Sequence, residues 1–274
     1  MSLRTRLHRV FRDTEEANRQ AFLSALPTPI PGPMLDIGPH TGELTMEIAR
    51  RVGIHDVHGV ELIADHIPAA RKRGVQVVHG DVDRGLPFAD DMFGLVVANQ
   101  VIEHVRRTDT FLREVRRVLK PDGLVCISTN NLSSWHNVVS LALGMQPTPM
   151  HVSDEIIVGN PMNPEAGLAH EDLGRTHLRL FTRRALVDLA RYHGLEAMSA
   201  ETVGFYPFPP KVAERLVRID QGHGAFVVCV FRAVEPAKPV ADLPDDIAAT
   251  SLPASVMPDP PPVPRTPVSP PDPV

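Results

Sequence analysis

The chain has 274 residues, 43% of them hydrophobic and 22% charged, with a formal net charge of −5. That balance offers no basic surface to a polyanion, which disfavours nucleic acid as a partner, and no apolar run approaches the roughly 18 residues that cross a bilayer, which disfavours stable membrane insertion. Two cysteines, Cys126 and Cys229, are too few for a disulfide framework and read as small buried hydrophobes in a reducing, cytoplasmic compartment.

The opening MSLRTRLHRVFRDTEE lacks the apolar core of a secretory signal. It reads as the start of an N-terminal helix within residues 1–28, with Leu3, Leu7, Val10 and Phe11 on one face, covering a pocket of the domain that follows. From residue 33 short β-rich runs alternate with helical patterns, the mark of a parallel sheet covered by helices on both faces. Met34 to Ile37 is the first strand, and Leu44, Ile48 and Val52 recur every four residues in the helix after it. Val57 to Glu61 is the second strand. Its helix ends in Arg71, Lys72, Arg73 and Gly74, which suit a negative helix terminus and a C′ position.

Val75 to His79 and Leu95 to Ala98 are the third and fourth strands. A helix with Phe111, Leu112, Val115, Val118 and Leu119 on its apolar face follows, stopped by Pro121, Asp122 and Gly123, and Leu124 to Ser128 is the fifth strand. The alternation then breaks over residues 131–176, far beyond the 2 to 6 residues of an ordinary connection, which predicts an inserted lid. It resumes at Thr182, a helix N-cap, and closes with strands near Glu196 to Val203 and Ala225 to Phe231. Between Pro236 and Val274 lie 13 of the 28 prolines and no apolar periodicity, so the domain is expected to span 1–235 and the remainder, 236–274, to be a disordered proline-rich tail.

The turn MLDIGPHTGELT sets Gly38 and Gly42 between a strand and a helix, where a close backbone approach to a ligand is favoured. Asp36 and Glu43 flank it; they would repel a pyrophosphate and suit a cationic ligand, and the G-x-x-x-G spacing differs from the dinucleotide pattern. Glu61, ending the second strand, is placed to accept hydrogen bonds from two ribose hydroxyls. Asp81 could accept from an adenine amino group, with Leu62 and Val82 on the two faces of the ring.

Four segments in order, MLDIGPHTGELT, GVEL, GDVDRGLPFADDMFGLVVANQVIEHV and REVRRVLKPDGLVCIST, resemble the successive motifs of class I S-adenosylmethionine-dependent methyltransferases of the small-molecule, quinone-pathway-like type. The resemblance implies an α/β, Rossmann-like, seven-stranded, mostly parallel sheet with helices on both faces, an antiparallel last strand and a lid inserted after strand 5. It also implies S-adenosylmethionine as cofactor. Asp36, Gly38 and Gly42 would surround its methionine part, Glu61 would hold the ribose, Asp81 the adenine, and Asn99 and Gln100 would border the sulfonium. His40 stands where this family usually has glycine, and is expected to adopt an allowed φ with its ring pointing away or stacked near the cofactor. Gly94 replaces a common aspartate, a change read as neutral.

The implied reaction is in-line transfer of a methyl group to a small-molecule acceptor, most simply through oxygen, in which positioning dominates and a general base assists. His104, in QVIEHV, is the first candidate base and His177, in THLRLFT, the second; Glu103, Trp135, His136 and Arg179 are candidate substrate contacts. Gln100 stands where metal-using relatives carry a glutamate, so no metal is expected. The alternative is a non-catalytic S-adenosylmethionine- or nucleoside-binding or partner-binding protein with a proline-rich recruiting tail. Oligomeric state has no signature in the sequence.

Overall fold

The computed structural model describes residues 3–163, 165–169 and 176–234; the tail expected over 236–274 lies outside the described residues. Seven strands form one sheet in the order β3-β2-β1-β4-β5-β7-β6. β1 (Met34–Ile37), β2 (Val57–Glu61), β3 (Gln76–His79), β4 (Phe93–Asn99) and β5 (Leu119–Asn130) pair in parallel. β7 (Phe226–Ala233) runs antiparallel between β5 and β6 (Leu195–Val203), which supplies the reversed last strand. Strand order reverses between β1 and β4, and in such sheets the crevice beyond the carboxyl ends of the two strands is the ligand site.

The helices are α1 (Leu3–Ala25), α2 (Glu43–Val52), α3 (Ile67–Lys72), α4 (Thr108–Val118), α5 (Trp135–Ala142), α6 (Arg183–Tyr192) and α7 (Pro210–Ile219). Strand periodicity of two divides the core into two layers. Leu35, Ile37, Val96 and Ala98 face α4 and α6 through Phe111, Leu112, Leu186 and Ala190. Met34, Leu95 and Val97 face the other way, onto Phe22, Leu23 and Leu26 of α1 and Ile48 and Val52 of α2. The same alternation separates the thiols: Cys126 belongs to the α1–α2 layer and Cys229 to the α4–α6 layer, both buried.

α1 therefore does two things. Its second half is core, and its first half sets Leu7, Val10 and Phe11 against Tyr206, Ala225 and Phe226. α4 ends earlier than its sequence suggests: it stops at Val118, Leu119 already pairs with Phe93, and the Pro121 to Gly123 turn lies within the span of β5, with Asp122 at φ 59. α5 and α7 were not visible in the sequence pattern. Gly94 is not neutral, since a Cβ there would lie 1.9 Å from the Pro31 carbonyl oxygen; the chain entering β1 passes directly over it.

Candidate active site

At the β1/β4 crevice a cavity of about 460 Å³ is bounded by the Gly38–Leu44 turn, by Glu16, Arg19 and Phe22 of α1, and by Asn99 at the end of β4. A hollow of about 700 Å³ also exists around Pro31, His55 and Asp56. It lies where the strands begin, the end of a parallel sheet that does not bind ligands.

The turn keeps Gly38 at φ 75, and a Cβ there would meet Val101 Cγ2 at 3.0 Å. His40 adopts φ 50, the left-handed region, and its ring lies 3.9 Å from that of His66, so the imidazole is carried onto a neighbour. The backbone N–H of His40 donates to Glu61 Oε2 (2.9 Å) and that of Ile63 to Glu61 Oε1 (2.9 Å). Glu61 is buried and each oxygen retains a second acceptor site. His66 Nδ1 stands 3.8 Å from Glu61 Oε1 and is buried with no hydrogen-bond partner among the described residues. Asp36 accepts from Thr45 Oγ1 at 2.6 Å; burial pushes its carboxyl up to about 7, the Thr45 bond opposes this, and the Glu61 charge adds to it.

Asp81 caps the turn after β3, its Oδ1 accepting from the Asp83 N–H (3.0 Å) and its Oδ2 lying 3.7 Å from Arg84 Nε. Leu62 is exposed and Val82 half-buried. Asn99 and Gln100 sit deeper. Asn18 of α1 donates to Asn99 Oδ1 (3.1 Å) and accepts from Ser128 Oγ (2.6 Å), joining α1 to the ends of β4 and β5. Gln100 is held at φ 56; with its amide oxygen toward the Thr129 N–H (3.3 Å), its nitrogen donates to Glu103 Oε1 at 3.1 Å.

Glu103 is fully buried and its other oxygen accepts from Thr129 Oγ1 (2.9 Å). Burial pushes its carboxyl up to about 7 against the hydrogen bonds that favour the charge. His104 Nδ1 contacts the Thr176 carbonyl (3.1 Å) and His177 Nδ1 the Pro149 carbonyl (2.6 Å). A carbonyl only accepts, so each Nδ1 carries the proton and each Nε2 is the basic nitrogen. Burial lowers the His104 pKa, the Thr176 bond opposing it. The His104 and His177 rings are 4.7 Å apart, and His151 stacks on His177 at 4.9 Å. One ligand atom each from Glu103, His104 and His177 lies within 4.8 Å of the others, a spacing that could hold a cation.

The segment that brings His177 in is fastened by its own backbone. The N–H of Leu178 donates to Glu103 O (2.8 Å), and the Arg179 guanidinium donates to Val105 O (2.6 Å), so Arg179 pins the segment to the turn after β4. Trp135 and His136 lie apart from this cluster in all their described bonds and ring contacts. Trp135 donates from Nε1 to Asp220 Oδ2 (2.7 Å) and stacks on His223, while His136 is packed edge-on to Tyr206 and burial lowers its pKa to about 4. Sequence reading missed Asn18, Arg19, Thr45 and His66. The first two reach the site from a helix whose pattern advertises only its apolar stripe.

Residues 35–127 match the family model described as a methyltransferase domain. The malonyl-[acyl-carrier protein] O-methyltransferase of Halorhodospira halophila is 32% identical over 113 residues, 39% of this chain and 38% of that protein. The ubiquinone biosynthesis O-methyltransferase of a Bradyrhizobium species is 35% identical over 118 residues, 41% of this chain and 45% of that protein. The matched segment, residues 35–127, is a methyltransferase domain similar to those of S-adenosylmethionine-dependent methyltransferases. The match spans less than half the length of either relative. Two solved S-adenosylmethionine-dependent methyltransferases share the fold of this chain over most of its length. That of Thermotoga maritima has a TM-score of 0.55 at 23% identity and covers 83% of this chain and 93% of its own; that of Mesorhizobium loti has 0.52 at 17%, covering 78% and 96%.

Proposed function

We propose that this methyltransferase transfers a methyl group from S-adenosylmethionine to the oxygen of a small-molecule acceptor. The observation that carries the reading is Glu61: a buried carboxylate at the end of β2, anchored by two backbone N–H groups, with acceptor capacity on both oxygens beside an acid-lined cavity of ligand size. Vicinal ribose hydroxyls are the donors such a group is built to take, and the orphaned His66 Nδ1 at its side offers a further polar contact to the same sugar. Asp36, Glu16 and Glu43 suit the positive charge of the cofactor, and Arg19, which pairs with Glu16 and Glu47, stands where a ligand carboxylate would find a cation. Asp81, Leu62 and Val82 would take the adenine, and Asn99 and Gln100 the sulfonium end.

S-adenosylmethionine supplies an electrophilic methyl group on sulfur; the chain has to orient the acceptor and remove its proton. Glu103 and the Nε2 atoms of His104 and His177 are the proton acceptors we assign. A hydroxyl nucleophile needs such a group near neutral pH, and the burial that lifts Glu103 toward 7 brings it to the range in which a general base works. Relatives of similar identity are named O-, N- and C-methyltransferases, so the choice of oxygen rests on the proton acceptors gathered around Glu103.

Calorimetric titration of the purified chain with S-adenosylmethionine and S-adenosylhomocysteine tests the cofactor reading. Micromolar binding is expected, weakened about a hundredfold in Glu61→Ala as both ribose contacts disappear. Absence of binding by the wild-type chain would overturn it, and binding without turnover on any hydroxylated acceptor would favour the non-catalytic alternative.

A further inference from the structure

α5 is folded inside out. Its buried positions are polar: Ser134 at its N-cap and Asn137 have no exposure, and Ser140 has 6%. Asn137 Nδ2 donates to Asn131 O (3.0 Å) while its Oδ1 is buried with no partner among the described residues, and Ser140 Oγ accepts from Asn160 Nδ2 (3.1 Å). The apolar side chains point outward: Trp135, Val138 and Val139 are exposed, Leu141 is 56% exposed and Leu143, just past the helix, 66%. Residues 131–153 contain no Asp, Glu, Lys or Arg. Contiguous exposed apolar surface of this kind marks an interaction site rather than ordinary surface.

What lies beside it selects the partner. Trp135 is tied to Asp220, the residue after α7, and to His223, so the two helices meet at that corner. On α7, Lys211, Arg215 and Arg218 form one exposed stripe at i, i+4 and i+7, and Val212 and Ile219, the latter 83% exposed, form a second stripe alongside. A basic stripe parallel to an apolar one, next to an uncharged apolar helix that begins with a tryptophan, is complementary to an anionic headgroup layer over acyl chains.

We propose that the α5–α7 corner binds the surface of an anionic phospholipid bilayer, with α5 lying in the interface and Lys211, Arg215 and Arg218 contacting headgroups. No described helix is long and apolar enough to cross a membrane, so the attachment is peripheral and reversible. It is independent of the reaction assigned above, because vesicle binding requires neither cofactor nor acceptor.

The test is co-sedimentation of the full chain with extruded vesicles of equal parts phosphatidylglycerol and phosphatidylcholine. The wild-type chain partitions onto these and several-fold less onto phosphatidylcholine alone. Leu141→Glu with Leu143→Glu lowers the partition coefficient about tenfold or more. Arg215→Gln with Arg218→Gln lowers it several-fold, and only at low ionic strength. All four side chains are exposed, so melting temperature and S-adenosylmethionine binding stay unchanged and show that the variants fold. Failure of the wild-type chain to bind, or binding indifferent to the leucine pair, overturns the proposal. So does concentration-dependent dimerisation in ultracentrifugation, abolished by the leucine pair without vesicle binding, which would assign the face to a second copy.

Discussion

His40 pays a conformational cost that a glycine would not. At φ 50 an L-residue is strained by roughly 1–2 kcal/mol, and what the position contributes to the site is its backbone N–H on Glu61, which any non-proline residue retains. His40→Gly should therefore leave S-adenosylmethionine affinity within about threefold, whereas His40→Val, β-branched and poorly tolerated there, should lower unfolding stability by about 1–3 kcal/mol. Urea titration and calorimetry on the two variants check this. Asp36 carries a pH signature. Its folded carboxyl titrates at about 7 because of burial, above its unfolded range near 3.8, so between those limits the folded chain holds a proton that the unfolded chain has lost. Its share of stability is fully present below about pH 4 and is lost as pH rises through 7. Asp36→Asn should flatten the fall in stability between pH 5 and 8 by on the order of 2 kcal/mol, measured by urea unfolding across that range. The motif residues Asp36, Gly38, Glu61 and Glu103 were legible because the chain writes them consecutively with each strand. The histidine cluster was only half legible: His104 and His177 were named separately, and nothing in the spacing of 73 positions announces that their rings meet.

Elements were read well where hydrophobic period and burial agree. β1, α2 and β2 match their sequence pattern, and α6 is capped by Thr182, whose Oγ1 accepts from the Ala185 N–H at 3.2 Å. Thr182→Ala removes that cap and should cost about 1 kcal/mol, with Thr182→Ser retaining most of it, in thermal or chemical unfolding. α5 escaped because its polarity is reversed: a helix that buries Ser134, Asn137 and Ser140 presents no core stripe to find. α7 escaped for a different reason. It follows the proline-rich run Phe205 to Pro210, which reads as loop although Pro210 occupies the first turn of the helix, where proline is tolerated. The start of β5 was misplaced because Pro121, Asp122 and Gly123 are ordinary helix stops, and sequence alone does not show that the chain is already paired with β4.

At the scale of the molecule, the sheet and its two cores follow from the alternation of β-rich and helical runs, but the partition of the core between layers depends on the ladder itself. β5 and β7 are registered with Cys126 opposite Val230 and Ile127 opposite Cys229, which places the two thiols on opposite faces. Burial pushes the Cys229 thiol up to about 12 and holds the Cys126 thiol well above its ordinary value, so neither reacts as a thiolate in the closed fold. The protein thus carries a chemical clock on each side of its sheet: alkylation of Cys126 times the departure of α1 and α2, and alkylation of Cys229 that of α4 and α6. Loosening α1 by Leu23→Ala should hasten labelling of Cys126 about tenfold or more while Cys229 keeps its pace; equal acceleration of both would mean that the two layers open only together.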